Sequence, residues 1–379
     1  MLSMKTSKVA TLLFAVAALF STQTIFAGDR TKCGDIEYEN IYKHFVGTIG
    51  KDKVVMDLRW GYCGGSNNGG SFFYNSATKD FRYLMIGEPQ SYAHDVQLTA
   101  SEYRIDDNWF SRTHDEVPRW NFFIKGNKLT GTWRSADGKD TLAINLIEDY
   151  SNATPLEIMA YQQKIKQGKA KYSQDVHYSF IGVKPADDMK TRDAEFISNI
   201  MLQQANGTSV NAASWTEYPK AQGRKDINEY KDNYKPDWPG KNVGYHKAYC
   251  HHSMFPMYNE NGILVTEYTY FNDSTSGRSF RNIDVANKKI LTSADILTTD
   301  KATLTTLLRN EYNNVKTPEN VEKIPVDNIV PTENLIITHN GIAFNYQQGS
   351  SCSSEMWIFL SYDKLQPLLT KEFKEKMKI

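Results

Sequence analysis

The chain has 379 residues, with 44 Lys and Arg against 44 Asp and Glu, 40% hydrophobic residues and 12% aromatics. That is enough apolar material for a packed core and too little charge bias for a disordered chain. The zero balance argues against a nucleic-acid partner, which calls for excess Lys and Arg, and the length suggests two domains.

Residues 1–27 read as an export signal. Lys5 and Lys8 precede an uncharged apolar run from Val9 to Phe20, and Ala27 offers a small residue for cleavage. The run is shorter than the ~20 residues a spanning helix needs. No later stretch is long or apolar enough to cross a bilayer. The expectation is a periplasmic or secreted protein with no transmembrane segment after signal removal.

Residues 28–150 read as an antiparallel β domain. Met56, Leu58 and Trp60 alternate with Asp57 and Arg59, and Val96, Leu98 and Ala100 alternate with Gln97 and Thr99. Three further period-two sets follow, Trp120-Phe122-Ile124, Leu129-Gly131-Trp133 and Leu142-Ile144-Leu146, with Ser71–Tyr74 and Tyr83–Ile86 as two more strands. One face of each is apolar, as expected for a sheet half in water. Gly126-Asn127 and Asp137-Gly138 supply hairpin turns. About eight short strands predict a small barrel or curved sheet, because closure removes exposed edges.

From Ser151 the texture changes. Residues 151–170 read as a connector, polar and with helical potential after Pro155, and residues 171–379 as an α+β domain with an antiparallel sheet and packed helices. His177–Val183 predicts a strand. Thr191–Ala205 predicts a helix, with Phe196, Ile197, Ile200, Met201 and Gln204 on one side. Pro219, Pro236 and Pro239 argue against one long helix across residues 214–240. Ile263–Phe271 and Phe280–Val285 are strand-like, Asp300 caps a helix, Asn340-Gly341 marks a hairpin, Trp357–Leu360 is a strand and Leu365–Met377 a last helix.

Four cysteines lie beyond the signal. In an oxidising compartment they predict one disulfide in each domain, Cys33–Cys63 and Cys250–Cys352, with buried thiols as the alternative. His246, Cys250, His251 and His252 form a dense group of metal-ligating types. Adjacent His251 and His252 would face opposite sides of a strand, and a disulfide would occupy Cys250, so no metal or other cofactor is expected. Ser76-x-x-Lys79 and Ser361-x-x-Lys364 match the Ser-x-x-Lys pattern of penicillin-binding enzymes, but no Lys-Thr-Gly accompanies them, and both read as turns. The Gly-rich residues 64–70 join two strands and read as a loop, not a phosphate cradle. Aromatic side chains are the remaining ligand-binding candidates. Trp109 and Phe123 belong to the first domain, Phe123 in the outward phase of its strand, and Tyr218, Tyr230, Tyr234 and Trp238 to the irregular segment.

The run Thr266–Phe271, followed by Phe280–Leu297, resembles the extracytoplasmic domain of RsiV-type anti-sigma factors and their secreted relatives. So does the closing stretch Leu335–Tyr346 with Leu360–Leu365, and the likeness extends over about residues 170–370. The resemblance implies an α+β fold with a binding or sensing role, lysozyme recognition in the best understood member, and, in some relatives, a neighbouring peptidoglycan deacetylase domain. The chain departs from it in carrying Ser274–Ser279 where many relatives have a Gly-Gly-Ala-His-like turn. The leading expectation is an exported, non-catalytic protein of the cell envelope that recognises a glycan, such as peptidoglycan, or a lysozyme-like protein. The alternative is an envelope hydrolase or deacetylase using Glu102, Asp106 and Asp107, which would need carboxylates converging in a cleft.

Overall fold

The computed structural model describes residues 30–33, 36–61, 69–74, 81–87, 95–104, 117–165, 174–185, 189–206, 215–233, 249–272, 275–313, 324–347 and 355–379. Residues 1–27, expected to be an export signal, lie outside them. Among the described residues no helix is long and apolar enough to cross a membrane.

Nine strands form the first sheet: β1 (Arg30–Cys33), β2 (Ile36–Ile49), β3 (Asp52–Gly61), β4 (Gly69–Tyr74), β5 (Phe81–Ile86), β6 (Val96–Arg104), β7 (Arg119–Lys125), β8 (Lys128–Arg134) and β9 (Thr141–Glu148). Each pairs antiparallel with the next, and β2 also pairs with β9, Phe45 opposite Glu148, so β2–β9 close into an eight-stranded barrel. The alternation seen in the sequence is the cause. Met56, Leu58, Trp60, Leu98, Trp120, Phe122 and Ile124 all point into one core. Gly131 lies where a Cβ would meet Asn121 O at 2.2 Å, so β7 and β8 approach more closely than any side chain allows.

A six-stranded sheet follows: β10 (Leu156–Ile165), β11 (Gln174–Val183), β12 (Tyr249–Glu260), β13 (Ile263–Asn272), β14 (Thr275–Asp284) and β15 (Lys289–Leu291). The expected connector is therefore largely a strand. Leu156, Ile158 and Ala160 bury on alternate positions, a short period-two signal that the lysines after it obscured. The sheet is mixed rather than wholly antiparallel, because β11 and β12 run parallel. Between them come α1 (Thr191–Asn206) and α2 (Tyr218–Asn233), the crossover that a parallel pair requires. A single sixteen-residue helix thus spans much of the segment expected to be broken. Pro219 sits in its first turn, where no N–H is needed, and Pro236 and Pro239 lie outside the described residues. In α1, Ile197, Ile200, Met201 and Gln204 are buried as expected, but Phe196 is 52% exposed, and Ala194 and Leu202 complete the packed face instead.

The chain ends in α3 (Ser293–Ile296), α4 (Lys301–Tyr312), a three-stranded sheet of β16 (Leu335–Ile337), β17 (Gly341–Gln347) and β18 (Glu355–Ser361), then α5 (Tyr362–Leu365) and α6 (Lys371–Met377). Asp300 caps α4 by accepting from Thr303 N. The expected last helix is two short ones with Pro367 between them. Ser361 accepts from Lys364 N as the cap of α5, so this Ser-x-x-Lys match is a helix start; Ser76 and Lys79 lie outside the described residues.

The polar face of β2–β4 is not left to water; part of it docks on the six-stranded sheet. Arg59, 2% exposed, donates to Ser253 Oγ at 3.0 Å, to Met254 O at 2.7 Å and to Ser179 Oγ. Beside it Asp57 Oδ1 accepts from Tyr42 Oη at 2.6 Å and lies 2.9 Å from His44 Nδ1, while Asn259 Nδ2 donates to Tyr42 Oη at 2.8 Å. Glu260 pairs with His339 at 2.9 Å, and Phe73 stacks on the His339 ring.

This junction gives stability a pH window. Burial would pull His44 down, but the Asp57 charge and hydrogen bond, with Glu260 and Asp149 near, leave its pKa above the usual 6.5. Burial would push Glu260 up, but the His339 hydrogen bond and charge, with His44, hold it below 4.5. The His44 contribution is complete below 6.5 and is lost as pH rises through the raised value. The Glu260 contribution is present above 4.5 and is lost as pH falls through the lowered one. Thermal melts should therefore show the two contributions together between about pH 4.5 and 6.5, and His44→Gln should flatten the alkaline side. An unchanged alkaline slope in that variant would assign it to another group.

Candidate functional site

The two faces of the β11–β12–β13 layer carry different chemistry, because neighbouring residues on a strand point opposite ways. On the helix-covered face, β12 places His252 against Tyr178 of β11, with ring centroids 4.6 Å apart and planes 7° from parallel. Tyr268 and Tyr270 of β13 continue the row, stacked at 6.1 Å, and His252 Nδ1 lies 2.5 Å from Tyr268 Oη. Gly277 faces Tyr270 across β14, where a Cβ would meet the ring at 2.4 Å, so glycine lets that ring lie over the strand. Gln204, near the end of α1, donates to Ser279 O at 2.7 Å and accepts from Thr266 Oγ1 at 2.7 Å, fixing the helix end over β13 and β14. These residues border an open pocket of about 360 Å³, lined by Gln204, His252, Tyr268, Tyr270, Gly277 and Ser279 among others. Rings, an imidazole and hydroxyls around one opening can stack on a flat ligand and hydrogen-bond its edge.

The barrel-facing side of the same layer holds Asp175 and His177 of β11 and His251 of β12. His177 and His251 are register partners across the parallel pair, with ring centroids 4.1 Å apart. Asp175 Oδ1 lies 2.7 Å from His177 Nε2, and Gln162 of β10 reaches the same nitrogen at 3.0 Å. Burial, followed by the charge of His177, pulls His251 down to about 4, so it is neutral at ordinary pH. Two imidazoles and a carboxylate within 4.8 Å of one another are a donor set able to hold a metal ion.

The sequence cluster of His246, Cys250, His251 and His252 is thus divided. His251 and His252 take opposite faces, as their adjacency implied. The Cys250 thiol donates to Asp226 Oδ2 at 3.1 Å, and His246 lies outside the described residues. No disulfide occurs among the described residues. Cys63, Cys352 and the side chain of Cys33 lie outside them, and with them both expected pairings.

Of the aromatic candidates, Phe123 is exposed, at 42%, as its outward phase implied. Tyr218 opens α2 and packs edge-on against Phe180, 5.3 Å between centroids, as part of the core. Trp109, Tyr234, Trp238 and the side chain of Tyr230 lie outside the described residues. Glu102 is 3% exposed inside the barrel and accepts from Trp120 Nε1 at 2.9 Å, Trp133 Nε1 at 2.7 Å and Arg82 at 2.9 Å. Burial raises its pKa against the pull of Arg82 and the two indoles. Asp106 and Asp107 lie outside the described residues. The pocket residues Tyr268, Tyr270 and His252 were not singled out together from the sequence as a binding face, although the alternation Tyr268-Thr269-Tyr270 was a signal for one.

No family model and no curated relative matches the chain. Among solved structures, a member of the DUF3298 family from Bacteroides fragilis is similar to it with 20% identity and a TM-score of 0.47, over 60% of this chain and 99% of that one. A DUF3298 family protein from Pseudomonas aeruginosa is similar with 14% identity and a TM-score of 0.39, over 59% of this chain and 98% of that one.

Proposed function

We propose that this protein is an exported, non-catalytic binding protein of the cell envelope whose ligand is a glycan seated in the Tyr268–Tyr270–His252 pocket. The observation that carries this reading is the row of stacked rings beside an open cavity. Sugar rings offer C–H faces to aromatic planes and hydroxyls to polar groups at the edge, and Ser279 and Gln204 stand at that edge. The reading of residues 1–27 as an export signal supports an envelope setting, where peptidoglycan is the abundant glycan.

The test is calorimetric titration of the signal-free protein with soluble peptidoglycan fragments, with lysozyme as a separate arm and a glycan-release assay beside both. Saturable fragment binding without turnover is expected. Tyr270→Ala should weaken it about tenfold, equivalent to about 1.4 kcal/mol, and Gly277→Ala should do the same by pushing the Tyr270 ring aside. Fragment binding that is indifferent to both changes would remove the pocket from the reading. Binding of lysozyme alone would replace the glycan with a protein, and turnover would favour a hydrolase or deacetylase.

A further inference from the structure

We infer that the chain holds a divalent transition-metal ion between β11 and β12, through Asp175, His177 and His251. Asp175 and His177 are two apart on one strand and so share a face; the parallel register sets His251 directly beside His177. Asp175 Oδ1 and His177 Nε2 stand 2.7 Å apart, closer than two ligands of one tetrahedral ion, so the carboxylate must turn slightly away from that nitrogen for both residues to hold the ion. Imidazole nitrogens with one carboxylate suit zinc and its neighbours in the first transition row rather than calcium or magnesium, which prefer all-oxygen sets.

A second observation separates a metal site from ordinary packing. His177 is only 4% exposed, yet its Nδ1 meets no hydrogen-bond partner. Buried imidazoles held for packing normally have both nitrogens satisfied. Here Asp175 and Gln162 both meet Nε2, and Nδ1 is the ring nitrogen that hydrogen bonding leaves unaccounted for. The donor atoms spread to at most 4.8 Å, whereas ligands about 2.1 Å from a tetrahedral zinc stand about 3.4 Å apart. Closing that gap requires side-chain rotation of about 1 Å, well within rotamer adjustment on a fixed backbone. Three protein ligands leave a fourth position for water. The site stands on the opposite face of the sheet from the ring pocket and does not depend on the glycan reading.

The experiment uses the signal-free full chain, stripped with chelator and titrated with Zn²⁺ by calorimetry, with metal content read by elemental analysis after dialysis. One zinc per chain and a raised melting temperature are expected. His177→Gln and His251→Gln should each weaken binding by about 100-fold or more, the upper range for the loss of a group that merely supports a ligand, and should abolish the melting shift. His252→Gln, next in sequence but on the other face, should retain the zinc. Co²⁺ in place of zinc should give a visible ligand-field spectrum that is lost in Asp175→Asn. Failure of the wild-type chain to bind zinc, or equal binding in His177→Gln and His251→Gln, overturns the inference. If those variants do not fold, the cobalt spectrum of Asp175→Asn decides: an unchanged spectrum overturns the site.

Discussion

Arg59→Ala should lower the stability of the chain by about 3–5 kcal/mol and split its unfolding into two transitions. The guanidinium is buried where the barrel meets the six-stranded sheet, and its donors satisfy two hydroxyls and a main-chain carbonyl of that sheet. Its desolvation is severe enough to bring its pKa down to about 10, yet it remains charged at neutral pH. Removing it leaves Ser179, Ser253 and Met254 O without that donor and opens a cavity at the junction. Each orphaned polar group costs about 1–3 kcal/mol. Arg59→Met fills the volume without donating, so it should lose less, about 1–3 kcal/mol. Urea unfolding followed by both fluorescence and hydrogen exchange of the barrel amides measures this. A single coincident transition with under ~1 kcal/mol lost in Arg59→Ala would show that the junction is held by other contacts.

Glu102→Ala is the second large effect, and it bears on how any activity assay is read. The carboxylate gathers two indole N–H groups and Arg82 inside the barrel, so its removal strands the two indole donors in a nearly dry interior and takes one acceptor from Arg82. A loss of about 3–5 kcal/mol is expected. Glu102→Gln keeps an acceptor for the indoles but turns an amide N–H toward Arg82, so it should cost less than the alanine change, about 1–3 kcal/mol. Loss of activity in the alanine variant alone would therefore report collapse of the barrel. An activity lost equally in the more stable Gln variant would point to chemistry at Glu102. Melting temperatures of the two variants separate these outcomes.

The barrel was legible because its signal is local. Met56-Leu58-Trp60 and Trp120-Phe122-Ile124 alternate, and alternation alone assigns the inward face. The same parity placed Phe123 outside and, carried two residues past Ala100, would have placed Glu102 inside. What alternation does not say is what covers the outward side. Asp57 and Arg59 read as solvent-facing residues of β3, whereas a second sheet buries them. The metal-type cluster was legible in part: adjacency in a strand sends His251 and His252 to opposite faces. The true neighbour of His251 is His177, brought beside it by a parallel pairing whose register no local pattern encodes. The strand Leu156–Ile165 was missed because only its first half alternates, and the basic run after it reads as a solvated connector.

The parallel contact of β11 with β12 also sets an order of assembly. Within the first sheet every pairing except β2 with β9 joins strands adjacent along the chain, so most of the barrel can zip by short loop closures. His177 and His251 meet only after the intervening helices have folded back, a longer loop closure than any hairpin of the barrel. During refolding the barrel should mature first, with Arg59 still hydrated on its flank, and lose that water only when the later sheet arrives. The slow kinetic phase would then belong to this docking, and amides of β11 and β12 should gain protection last.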